Sequence, residues 1–185
     1  GAAAVAAGGE VLLRGICPSD LKVPLEEFQK AGAAVDADEE NCQIRICMRK
    51  RPLPLLIKTE PYPGFPTDLQ SPFMAFLATA LGTSYIEEQV FEGRFATAKI
   101  LEQMGAVIRT ENQRAVIEGH YPLKGAAVNA CDLRGGAALM VAALAAEGDT
   151  FIGECHHIER GYEDICRDMA ALAAHIRWVE NDFTR

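Results

Sequence analysis

Two carboxylates and three guanidinium groups stand at matched places in this chain. Asp68 and Asp132 lie 64 residues apart, and each is followed by leucine, in TDLQ at 67–70 and CDLR at 131–134. Arg94 in EEQVFEGRF and Arg160 in GECHHIERGY lie 66 residues apart. Arg134 stands two residues after Asp132, where the first copy has Gln70. Positioned carboxylates take and return protons, and guanidinium forks hold phosphate or carboxylate through paired hydrogen bonds. Asp and Arg at two equivalent loops therefore point to a mixed-charge site for an anionic small molecule. Helix N-termini at the same loops favour such an anion. Each residue also has a plainer reading. An Asp in a first helical turn is favoured by the helix dipole alone, by about 0.3–1 kcal/mol, and Arg94 and Arg160 could simply pair with Glu92 and Glu159.

The elements that must position these groups recur along the chain. PYPGFPTDLQ at 61–70 places three prolines in six residues before Asp68. Thr67 is expected to cap the following helix, with Gln70 closing a capping box. SPFMAFLATALG and GGAALMVAALAAE are apolar nearly all round, so each must be buried on every side. GAAAVAA at the start reads as the end of a third such helix. PLEEFQK, AKILEQM and YEDICRDM keep a polar face and read as surface helices. Gly8, Gly82 and Gly148 each separate a small-residue helix end from a strand. QKAGAAV, EQMGAVI and ALAAHI each join a surface helix to a following strand. In the middle copy, strands are expected over 83–90 and 124–130, a helix over 95–104, and a hairpin pairing 106–110 with 114–118. The expected fold is α/β and inside-out: three pseudo-repeated units with buried helices surrounded by sheets. The unit bounds are approximately 1–78, 79–144 and 145–185 in one domain, with the first and last units incomplete.

Composition narrows the partners. The 185 residues carry 18 Lys and Arg against 26 Asp and Glu, a net charge of −8. That disfavours nucleic acid and anionic membrane surfaces, which need clustered positive charge. A hydrophobic content of 49% suits a packed core rather than disorder. The six cysteines show no CxxC pair, so reduced thiols in a cytoplasmic protein are expected. No apolar run reaches the roughly 18 residues of a membrane span. Cys155, His156, His157 and Cys166 match no trusted zinc spacing, and no metal site is expected. Arg49, Lys50 and Arg51 read as a solvated turn. The first residues have neither a cap nor a preceding strand, so the chain reads as cut from something longer, with the first unit's Asp loop lying before Gly1.

PGFPTDLQ (63–70), VFEGRF (90–95), DLRGGAAL (132–139), AAEGDT (145–150) and HIERGYED (157–164) occur in that order. In these motifs the chain resembles the enolpyruvyl transferases, in particular the carboxyl-terminal part of the UDP-N-acetylglucosamine 1-carboxyvinyltransferases. The shikimate-pathway enolpyruvyl transferase is the alternative within the same fold, and a non-catalytic anion-binding module of that fold is another. The resemblance implies two inside-out domains with a cleft between them, of which this chain holds most of one. It implies transfer of the enolpyruvyl group of phosphoenolpyruvate to the 3′-hydroxyl of UDP-N-acetylglucosamine, in peptidoglycan precursor synthesis, with release of phosphate and with neither cofactor nor metal. By resemblance Asp68 faces the sugar hydroxyl and Asp132 is a second cleft carboxylate assisting proton transfer. Arg94 and Arg160 match contacts to phosphoenolpyruvate, Arg134 a further cleft arginine, and Val90 a nucleotide-sugar contact. The chain departs from the family pattern in lacking the Lys-Asn pair and the cysteine-bearing loop of the amino-terminal domain. Ala173 also replaces the glycine usual before the last strand.

Overall fold

A computed structural model describes residues 1–119 and 122–179. The last six residues of the third unit, 180–185, lie outside the described residues. Helix α1 (Ala2–Ala6) leads into strand β1 (Glu10–Arg14), helix α2 (Lys22–Lys30) and the hairpin β2 (Ala34–Asp38) and β3 (Gln43–Cys47). The next copy follows: β4 (Leu56–Lys58), α3 (Gln70–Leu77), β5 (Thr83–Glu87), α4 (Ala96–Gln103), β6 (Val107–Glu111) and β7 (Arg114–Glu118). A third set comprises β8 (Leu123–Lys124), β9 (Ala127–Asn129), α5 (Leu133–Ala145), β10 (Ala146–Glu147), β11 (Phe151–Gly153), α6 (His156–Glu159) and α7 (Ile165–Ala171).

The sheets repeat one pattern. In the order β1-β3-β2, strand β3 lies between two antiparallel neighbours. β5-β7-β6 has the same order and the same senses, and β4 adds a parallel strand beside β5. The parallel pairing recurs where β8 meets β10 and β9 meets β11. The strand expected over 124–130 is thus two short pieces, interrupted at Gly125. There residues 125–126 face three residues, 148–150, and this one-residue bulge breaks the ladder, although the Gly125 amide still donates to Glu147 and the Phe151 amide to Ala126.

Helices α1, α3 and α5 pack against one another, and the sheets lie outside them. Every residue from Gln70 to Ala80 is buried. Along α5, Gly135, Gly136 and Ala138 to Ala142 are buried, while its last turn is half-buried. Phe28, Phe65, Phe73 and Phe76 form a chain of ring contacts with centroids 4.7–5.7 Å apart, joining a surface helix and the proline loop to α3. The inside-out expectation therefore stands, and its cause is composition. A helix such as QSPFMAFL has no polar face to give to water.

Three local expectations are corrected. Thr67 and Gln70 form no capping box: residues 67–69 make a 3₁₀ turn without a side-chain cap. The Thr67 hydroxyl donates to Glu88 instead, and Gln70 is wholly buried, with its Oε1 accepting from the Ser71 hydroxyl. The strand expected after ALAAHI is absent among the described residues, where 174–179 carry no regular structure. No neighbouring strand is described there to complete a ladder, and an unpaired strand leaves its backbone groups to water. Arg51 is more than part of a solvated turn. Its guanidinium donates to the Thr79 and Ala80 carbonyls at 3.2 and 2.9 Å, beyond the C-terminus of α3, where the helix dipole favours a cation.

Candidate active site

The proline-rich loop has a structural logic. The Glu60 amide donates to the Phe65 carbonyl at 2.9 Å and Thr59 bridges Phe65, closing residues 60–65 into a compact turn. Phe65 is buried and stands edge-on to Phe73, with centroids 4.9 Å apart. At Gly64 an added Cβ would meet the Glu60 Cβ at 2.4 Å, so the turn can close this tightly only on glycine. Pro66 then fixes the entry to the 3₁₀ turn that carries Asp68. Asp68 is exposed at the end of a loop whose hydrophobic side is locked into the core.

The N-termini of α3, α4 and α5 converge. Thr97, in the first turn of α4, donates to the Ser71 hydroxyl of α3 at 3.4 Å, and its oxygen lies 3.8 Å from the Cys131 sulfur just before α5. Asp132 caps α5, its Oδ1 accepting from the Gly135 amide at 2.6 Å. Arg134 reaches from α5 to the other loop, its Nε donating to Asp68 Oδ1 at 2.5 Å. That hydrogen bond, with the charges of Asp68 and Asp132 behind it, raises the Arg134 guanidinium further above its ordinary value. Asp68, Asp132 and Arg134 are thus one cluster drawn from two helix starts.

The two remaining arginines border this end. Arg94 stands two residues before α4, and its guanidinium lies 4.3 Å from the centroid of the Phe91 ring. Arg160 follows α6, which rests on the first turns of α5. A Cβ on Gly136 would meet Ile158 at 2.5 Å, and one on Gly161 would meet Leu133 at 2.7 Å. The plainer pairings are not formed: among the described residues neither Arg94 with Glu92 nor Arg160 with Glu159 makes an ion pair. Val90 lies on the turn between β5 and Arg94, its amide donating to Glu88 Oε1 at 3.0 Å.

A concavity lies elsewhere. A groove of about 510 Å³ is lined by Glu87, Gln89, Glu111, Asn112 and Arg114 beside the β6–β7 turn. None of the five charged site residues lines it. Asp68 and Asp132 are exposed and Arg134 is half-buried, so the charged end is reached from solvent. The six cysteines are free, and no group of His, Cys, Asp or Glu able to hold a metal occurs among the described residues. No helix among them is long and apolar enough to cross a membrane.

Sequence reasoning passed over one central residue, Glu88. It is buried to 1% exposure at the end of β5 and accepts hydrogen bonds from Thr59, Thr67, Val90 and Phe91. Strand alternation carried the signal. Ser84, Ile86 and Glu88 share the inward face, and an acid on that face needs several donors.

The family model for EPSP synthase (3-phosphoshikimate 1-carboxyvinyltransferase) matches residues 1–169. The chain belongs to this enolpyruvyl transferase family. A UDP-N-acetylglucosamine 1-carboxyvinyltransferase from Desulfofundulus thermocisternus is 46% identical over 175 residues, covering 94% of this chain and 71% of that protein. A second, from Carboxydothermus hydrogenoformans, is 45% identical over 178 residues, 96% of this chain and 42% of that protein. The enolpyruvyl transferase NikO from Streptomyces tendae superposes with a TM-score of 0.84 at 28% identity, over 95% of this chain and 42% of that one. EPSP synthase from Acinetobacter baumannii shares the fold, with a TM-score of 0.65 at 19% identity over 86% of this chain and 40% of that one. Apart from the Desulfofundulus protein, these relatives are matched over about two-fifths of their length.

Proposed function

We propose that this chain is the carboxyl-terminal domain of a cytoplasmic enzyme that transfers the enolpyruvyl group of phosphoenolpyruvate to the 3′-hydroxyl of UDP-N-acetylglucosamine. The observation that carries the reading is the Asp68–Arg134 pair, held between two helix N-termini beside Asp132. The transfer must take a proton from a sugar hydroxyl and deliver one to the methylene carbon of phosphoenolpyruvate. Asp68 is the carboxylate toward the sugar hydroxyl. It is exposed, and among the described residues it pairs with a guanidinium that can turn to a substrate anion. Asp132 keeps one oxygen on its own helix and offers the other to proton transfer. Arg94 and Arg160 bracket the anionic phosphoenolpyruvate, and the helix N-termini add partial positive charge. Val90 contacts the nucleotide sugar from the β5 turn. The missing wall of the cleft belongs to an amino-terminal domain that acts as the intramolecular partner.

The test is a chimera. This chain replaces the corresponding segment of the Carboxydothermus relative, and phosphate release is followed with phosphoenolpyruvate and either UDP-N-acetylglucosamine or shikimate 3-phosphate. Turnover with the nucleotide sugar is expected, and none by this chain alone, since one wall can neither exclude water nor align two substrates. Turnover with shikimate 3-phosphate instead would transfer the assignment to the other branch of the family. Unchanged turnover in Asp68→Asn would leave a binding module rather than a catalytic domain.

A further inference from the structure

Glu88 is a buried carboxylate for which catalysis, as proposed above, has no direct use. Its four donors come from three segments. The Thr59 hydroxyl at the end of β4 donates to Oε1 at 2.8 Å, and the Thr67 hydroxyl, next to Asp68, donates to Oε2 at 2.8 Å. The Val90 and Phe91 amides donate to Oε1 at 3.0 and 3.1 Å. The Gln89 amide closes the ring onto the Thr59 hydroxyl at 2.9 Å. One side chain thus ties the loop carrying Asp68 to the turn carrying Val90, Phe91 and, through the Phe91 ring, Arg94. A carboxylate suits this place because it accepts on both oxygens and donates on neither.

We infer that Glu88 is a positioning residue, which sets the distance between the Asp68 carboxylate and the Arg94 guanidinium and acts on the reaction only through them. The inference rests on the enzymatic reading above. Without the tie, the loop carrying Asp68 keeps the Phe65 contact and the solvent-exposed pair with Arg134, and the β5 turn loses the acceptor for two of its amides. A displacement of about 1 Å at such a site can cost on the order of a hundredfold in rate.

Two measurements test it. In the chimera, Glu88→Ala is expected to lower kcat about ten- to a hundredfold. Glu88→Gln should retain activity within about threefold, because its carbonyl can replace Oε1 and the Thr67 hydroxyl can reverse to accept from its amide. If Gln is as damaging as Ala, the carboxylate itself takes part in the chemistry and the positioning role is wrong. Thr67→Val removes one arm without emptying the core, and Thr67→Ser restores it. The first should lower kcat by about tenfold and the second should return it, with equal unfolding midpoints. A Thr67→Val variant with unchanged kcat overturns the proposal even where Glu88→Ala fails to fold. In the chain alone, amide hydrogen exchange at Val90 and Phe91 should quicken in Glu88→Ala and stay slow in Glu88→Gln. Normal exchange in Glu88→Ala shows that no tie exists. Faster exchange with unaltered kcat in an active chimera sinks the positioning role and leaves the proposed function standing. A chimera inactive with unaltered residues removes the proposed function, and this role with it.

Discussion

The turns that carry Arg94 and Arg160 occupy equivalent places 66 residues apart, yet they are built differently. The first is organised from inside. Glu88 is buried beneath it, two backbone amides point at that carboxylate, and Arg94 stacks on Phe91. At the matching position of the second, Glu154 is exposed, has φ of +55°, and pairs with the His156 ring nitrogen at 3.3 Å. That turn becomes the short helix α6, held by one buried residue, Ile158, against Gly136. The aspartates differ in the same way. Asp132 gives one oxygen to its own helix, whereas Asp68 caps nothing and holds Arg134. A common repeat has thus been specialised. One copy presents an Arg stacked on an aromatic ring and an Asp paired with Arg134; the other presents an Arg that follows a short helix and an Asp that caps α5.

Neutralising the aspartates tests that difference most strongly. In the chimera, Asp68→Asn should lower kcat by about 10²–10⁴, the range of general acid–base catalysis. Asp132→Asn should cost less, because Asn still caps α5 and one of the two oxygens was already committed. Equal losses would abolish the distinction between the two carboxylates.

The arginines come next. Losing a charge-assisted contact to phosphate or carboxylate should lower kcat/KM about ten- to a hundredfold in Arg160→Ala and Arg94→Ala. Arg14→Ala, on β1 in the copy lacking the pair, should leave turnover unchanged. A normal kcat/KM in Arg160→Ala would show that only the tied turn serves the site.

Stability should rank the aspartates in the opposite order. Removing the α5 cap in Asp132→Ala should cost about 0.5–2 kcal/mol in denaturant unfolding of the chain alone. Asp68→Ala should cost less than about 1 kcal/mol, because its ion pair is solvent-exposed and screened. If Asp68→Ala proved the more damaging, its pair with Arg134 would be a structural clamp rather than a substrate-facing group.

The fold was legible because burial writes itself into composition. QSPFMAFL and LRGGAALMVAALA can only be interior helices, and that alone turns the sheets outward. The convergence of Asp68, Asp132 and Arg134 was legible through the spacing of the repeats. The wiring beneath was not. Thr67 and Gln70 have the spacing of a capping box, yet a buried carboxylate 21 residues away competes successfully for the Thr67 hydroxyl. Tertiary hydrogen bonds of that range leave no local pattern. The β8–β9 break was hidden for a similar reason, since it arises only where residues 125–126 face the three residues 148–150 of the neighbouring strands.

The smallest expected effect concerns the ends of the surface helices, where the copies should be alike and one is not. Gly32 and Gly105 have φ of +98° and +88°, and Ala173 has φ of +64° at the matching place. The hydrogen bonds are the same at all three. The Gly32, Gly105 and Ala173 amides donate to Gln29, Glu102 and Ala170, and the following amides to Phe28, Leu101 and Met169. This is a paired C-terminal cap that requires one left-handed residue. A Cβ in that conformation costs about 1–2 kcal/mol, while glycine adds back about 0.4–1 kcal/mol of chain entropy on unfolding. Ala173→Gly should therefore stabilise the chain by about 0.5–1 kcal/mol, read as a higher denaturant midpoint at unchanged slope. Gly105→Ala should destabilise it by a similar amount, and nothing lies within 4 Å of a Cβ there to confuse the comparison. A lower midpoint in Ala173→Gly would mean that the third copy ends its helix differently, and that the likeness of the copies stops before residue 173.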